Sequence, residues 1–162
     1  MKVNAIPVRR PRQRARVAIE NILVAVDFSD GSKAALCYAA RLASALDAAV
    51  TVVNVIEVNC GWLKYGADEF PVLDEQAREN RRRTLQSFAR DSGGGGSWSY
   101  SARLGKPAEE IAEAARKVNA DIIVIATRGL RGVKHAVIGS TAEEVVRIAP
   151  CPVWVVPVKG DL

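Results

Sequence analysis

The sequence predicts an α/β fold, a five-stranded parallel sheet with helices on both faces. Three observations lead there. Short strand-like segments recur five times, over 21–27, 49–58, 98–104, 122–126 and 153–156. Stretches with helical apolar spacing and recognisable caps separate them. The runs Ile22 to Val26 and Ile122 to Ala126 are apolar at every position and rich in β-branched residues, as strands buried on both faces require. Strands alternating with helices in this way imply right-handed crossovers and a parallel sheet.

Taken in order, the first strand, 21–27, ends in Asp27, and Phe28, Ser29, Asp30, Gly31 and Ser32 supply turn chemistry, with Ser29, Asp30 or Ser32 available as a helix cap. Ala35, Leu36, Tyr38, Ala39 and Leu42 give a helix over 33–46, and Val50, Val52, Val53, Val55 and Ile56 a second strand. Residues 59–71 are irregular; their aromatics, Trp62, Tyr65 and Phe70, suit either a core cap or a lid. A helix is expected over 72–91, its many arginines balanced by Asp74, Glu75 and Glu79 in a salt-bridged solvent face. The glycine run 93–96 reads as a flexible connector. After the third strand, Pro107 suits the first position of a helix over 108–118, and Glu109 and Glu110 match its dipole. A fourth helix is expected over 141–148, and prolines bracket the last strand. The whole is a Rossmann-like three-layer α/β/α sandwich.

At 162 residues the chain fits one domain with a proper core. Its 25% charged and 49% hydrophobic residues are those of an ordinary globular protein. No apolar run approaches the roughly 20 residues of a membrane span, and the N-terminus lacks the apolar core of a secretory signal, so a cytoplasmic protein is expected. The net charge of +5 resides in residues 1–20, where six basic side chains face Glu20 alone; the rest holds 17 of each sign. A basic arm of that kind can hold nucleic acid, but no aromatic residue lies among the arginines to stack on bases, and a solvated extension is the expectation. Cys37, Cys60 and Cys151 are too scattered for a zinc site or a disulfide framework, and one histidine, His135, rules out multi-histidine metal sites. Catalytic and metal-binding residues are expected to be none.

The stretch from Ala126 to Thr141 carries the functional signal. It joins the fourth strand to the last helix through a loop from Thr127 to Ile138, long for such a connection. Gly129, Gly132 and Gly139 alternate there with Arg128, Arg131 and Lys134. Glycines admit a ligand to backbone amides, cations attract anions, and a helix N-terminus offers unpaired N–H groups. The stretch reads as a phosphate cradle, against the alternative of a solvated surface crossover. Neither G-x-x-x-x-G-K-[ST] nor G-x-G-x-x-G is present. Asp27, at a carboxyl strand end, either caps its turn or faces a ligand.

These residues resemble the universal stress proteins over about 20–158, leaving 1–19 as a basic extension and 159–162 as a tail. The family's nucleotide signature, G-x2-G-x9-G-[ST], aligns with Ala126, Thr127, Arg128 and Gly129, nine residues, then Gly139 and Ser140. Ala126 stands where the signature has its first glycine. Val24 to Ser29 and Cys151 to Pro157 are also similar to the family. The resemblance implies the strand order 3-2-1-4-5 and a site where the first and fourth strands meet. Ala25, Val26 and Asp27 would border adenine and ribose, and Val55 would pack on the base. Arg128 and Gly129 would line the site, and Gly139, Ser140 and Thr141 would meet the phosphates. It implies a stress-response module binding ATP, with or without Mg2+, with at most slow hydrolysis, and a homodimer through the last strand. The alternative is a homodimeric interaction protein of the same fold that holds no nucleotide.

Overall fold

A computed structural model of the chain describes residues 18–57, 74–127 and 138–157. The elements run β1 (Asn21–Ala25), α1 (Asp30–Leu46), β2 (Ala49–Glu57), α2 (Glu75–Asp91), β3 (Ser99–Gly105), α3 (Pro107–Lys117), β4 (Ile122–Ala126), α4 (Ser140–Ile148) and β5 (Val153–Val156). The sheet order is β3-β2-β1-β4-β5, and every neighbouring pair is parallel. Val24 lies opposite Val52 on one side and Val124 on the other.

Alternate residues of β1 go to opposite helical layers. Ile22 and Val24 pack with Ala35, Leu36 and Ala39 of α1 and with Leu85 and Ala89 of α2. Leu23 and Ala25 pack with Ile111 and Ala115 of α3 and with Val145 of α4. Leu23, Val24, Val52, Val53, Ile123 and Val124 are all buried. Each such side chain contributes about 1.5–3 kcal/mol on leaving water. Burial on both sides is the physical reason the central strands read as unbroken apolar runs.

Capping chemistry sets the helix starts. The Ser29 hydroxyl accepts from the Ser32 amide at 3.2 Å, so α1 begins at Asp30, three residues ahead of the expected start. The Asp74 carboxylate accepts from the Ala77 amide at 2.7 Å, so α2 begins at Glu75 rather than at 72. Within the glycine run after α2, Gly94 is bonded back to the helix and packed against Trp98. The Gly94 amide donates to the Ala89 carbonyl at 2.8 Å, and the Trp98 ring lies where a Cβ on Gly94 would stand, 2.5 Å away.

At the amino ends of the strands, the Asp121 carboxylate accepts from the amides of Glu20 and Asn21 at 2.8 and 2.9 Å, tying the start of β1 to the lead-in of β4. At the sheet edge, Val153 and Val155 of β5 pack toward α3 and α4. Trp154, 38% exposed, turns the other way and meets Tyr38 of α1 with ring centroids 5.9 Å apart.

Candidate functional site at the carboxyl ends of β1 and β4

From β1 the chain crosses to β2 on one side, and from β4 to β5 on the other. Adjacent strands whose connections part in this way leave a crevice beyond their carboxyl ends, where open α/β sheets take ligands. Two helix N-termini flank it, those of α1 and α4.

The wall contributed by β1 is a tight, internally bonded turn. The Ser32 hydroxyl donates to Asp27 Oδ1 at 2.6 Å, and the Ser29 amide donates to the same oxygen at 3.1 Å. The Asp27 amide donates to Ser32 Oγ at 2.9 Å. Of the two roles open to Asp27 in the sequence, capping the turn is therefore filled by Oδ1. Ala25 and Val26 are buried, their side chains in opposite core layers. Val55, half-buried, belongs to the layer of α3 and α4. Asp30, the first residue of α1, is held below the usual carboxylate range by the Lys33 ammonium, through their hydrogen bond of 2.8 Å first and its charge second.

The β4 wall is equally defined. Ala126 is 8% exposed and packs in the layer of α1 and α2. Thr127, also buried, donates its amide to the Val156 carbonyl at 2.8 Å, and its carbonyl accepts from the Gly139 amide. Gly139 is the N-cap of α4 and makes no side-chain cap bond; Ser140 and Thr141 follow, the first exposed and the second half-buried. Of the expected site residues, Arg128 and Gly129 lie outside the described residues, as do Arg131, Gly132, Lys134 and His135.

Behind the β1 turn is a polar group that the sequence reading missed. Asn54 of β2 is 2% exposed. Its Nδ2 donates to the Val26 carbonyl at 2.7 Å, and its Oδ1 accepts from Arg81 Nε at 2.8 Å. Arg81 was expected on the solvent face of α2. Arg82 and Arg83 do lie there, paired with Glu79, but Arg81 turns inward, its guanidinium 4.7 Å from the centre of the Phe28 ring. The signal for Asn54 was present, an amide amid the valines of a buried strand. In the sequence Arg81 differs from its neighbours only in helical phase, four residues before Leu85.

The model of the universal stress protein family matches residues 18–157. The chain belongs to that family. A universal stress protein of Methanocaldococcus jannaschii is 32% identical over 138 residues, covering 85% of this chain and 81% of the relative. Among solved structures, the hypothetical protein MJ0577 superposes with a TM-score of 0.69 at 25% identity, over 89% of this chain and 99% of its own. The universal stress protein of Archaeoglobus fulgidus in complex with dAMP gives 0.54 at 25% identity, over 88% and 99%. Family membership and the fold of the neighbour agree with the observed strand order.

Proposed function

We propose that this universal stress protein is a stress-response module that binds ATP or a related adenine nucleotide beyond the carboxyl ends of β1 and β4. The observation that carries the reading is the glycine-capped N-terminus of α4, anchored to Thr127 at the mouth of the crevice. A helix start whose own cap has no side chain keeps its first amides available to an anion. Ser140 and Thr141 add hydroxyls at the same place. The Archaeoglobus fulgidus relative, which holds dAMP, supports an adenine nucleotide as the ligand class.

On this reading the α4 amides, with Ser140 and Thr141, hold the phosphates, and the β1 turn around Asp27 takes the nucleoside with Val55 beneath the base. Among the described residues no group of three His, Cys, Asp or Glu side chains is placed to hold a metal ion, so magnesium would enter with the phosphates. Any hydrolysis is slow. The protein acts as a homodimer through β5, whose exposed Trp154 gives an edge strand an apolar face. Among the described residues no helix is long and apolar enough to cross a membrane, and the cytoplasm is the proposed compartment. The basic arm, residues 1–19, is not assigned to nucleic acid.

Calorimetric titration of nucleotide-stripped protein with ATP and magnesium tests the reading. Saturable binding below millimolar ATP is expected. Folded protein with no heat of binding at that concentration would leave the same fold acting as an interaction module.

A further inference from the structure

We propose that Asn54 and Arg81 are positioning residues for this site, gripping the two neighbours of Asp27 so that the β1 turn is fixed before a ligand arrives. The inference rests on the nucleotide reading for its ligand, and on geometry alone for the grip.

The ladder between β1 and β2 ends with the Val26 amide donating to the Val53 carbonyl at 2.9 Å. There the Asn54 side chain supplies the donor to the Val26 carbonyl. A carbonyl requires the NH2 end of the amide, so the oxygen end is left to accept from Arg81, and each partner fixes the orientation that the other needs. The next residue but one, Phe28, has φ of 67°, a left-handed conformation that is disfavoured for a bulky side chain. Its ring meets both the Arg81 guanidinium and, in a T-shaped contact with centroids 5.2 Å apart, the Phe88 ring. One guanidinium thus reaches Val26 through Asn54 and Phe28 directly. Asp27, between them, has its backbone set by both. A buried amide in a valine strand is costly unless both ends are bonded, and here both bonds lead to this turn.

Arg81→Met keeps the aliphatic stem and removes both the Nε donor and the charge. It is compared with Arg82→Met, whose guanidinium pairs with Glu79 on the surface. Two readouts are used: ATP affinity by calorimetry, and hydrogen exchange at the amides of Asp27, Ser29 and Ser32, each bonded within the turn. Expected for Arg81→Met are a folded protein, faster exchange at those amides and about ten-fold weaker ATP binding, with Arg82→Met like wild type. Arg81→Lys, which keeps a cation for the ring but lacks the planar fork, is expected to recover part of the loss. Adding Asn54→Leu to Arg81→Met should weaken binding further, since it removes the bond to the Val26 carbonyl that Arg81→Met leaves in place. Unchanged affinity and unchanged exchange in Arg81→Met would overturn the proposal, as would faster exchange without weaker binding. If wild type binds no ATP, the nucleotide reading fails by itself. Exchange then decides the grip: protection lost in Arg81→Met upholds it, and protection retained overturns it.

Discussion

The Gly139 amide donates to the Thr127 carbonyl, so the connection between β4 and α4 leaves and returns at a single point. Thr127 is in turn anchored to β5 through Val156. The consequence is that the start of α4 is tied to the sheet by backbone hydrogen bonds, in addition to the packing of Ala142 and Val145. An anion-binding helix terminus needs that placement, because its dipole and amides act over only the first turn.

Gly139 has φ of −73° and ψ of 154°, an extended conformation open to any residue. Its lack of a side chain is therefore not demanded by the backbone. Gly139→Ser should place a hydroxyl where it accepts from the first amides of α4, raising stability by roughly a few tenths of a kcal/mol. The same hydroxyl would occupy the groups a phosphate uses, so ATP binding should weaken. Thermal melts and titration on one preparation check the opposed signs; weaker binding with a lower melting temperature would instead mean general damage.

Ala126 takes the place of a glycine in the family's nucleotide signature, yet its methyl lies in the core layer of α1 and α2. Ala126→Gly should cost about 1–2 kcal/mol, from backbone entropy and a lost buried methyl. Nucleotide affinity should stay within about two-fold of wild type, since 1.4 kcal/mol would be needed for ten-fold. A large gain in affinity would show that the methyl crowds the ligand after all. Urea unfolding and calorimetry separate the two effects.

Much of this was legible because the central strands are buried on both faces. Ile122 to Ala126 reads as a buried strand from its shortness and its β-branched residues, and β4 has those bounds. Pro107 announced α3, and Gly139 followed by Ser140 and Thr141 announced the start of α4. What the sequence concealed were the side-chain choices made by packing. Arg81, Arg82 and Arg83 are chemically identical and adjacent. Only the helical phase set by Leu85 and Ala89 decides that Arg81 turns toward Asn54 while the others meet Glu79. The starts of α1 and α2 moved for a similar reason. Several Ser and Asp residues could cap, and the backbone geometry at Ser29 and Asp74 selects among them.

The proposed homodimer is tested on the exposed side of β5, since Val155 packs against the core and its replacement would harm folding. Trp154 is exposed beside Tyr38, itself 45% exposed, on the edge strand. Trp154→Lys should leave the circular dichroism spectrum unchanged and shift sedimentation at micromolar concentration from dimer toward monomer. A variant that sediments like a dimeric wild type would place the interface elsewhere.

Acid should loosen the sheet at Asp121. Its carboxyl is held below the ordinary value of 3.8, first by the Glu20 amide and then by the Asn21 amide. The group is charged in both folded and unfolded chains well above that value, so its stabilisation is fully present there. As pH falls through 3.8 the unfolded chain takes up the proton first, and the contribution is gone once the lower folded pKa is passed. Asp121→Asn keeps an accepting oxygen but cannot titrate. The fall in melting temperature between about pH 6 and about pH 3 should therefore be smaller in the variant than in wild type. Asp30, lowered by Lys33, leaves a residual acid dependence in both proteins. An equal fall in the two would show that the tie between β1 and the lead-in of β4 does not depend on the charge of Asp121.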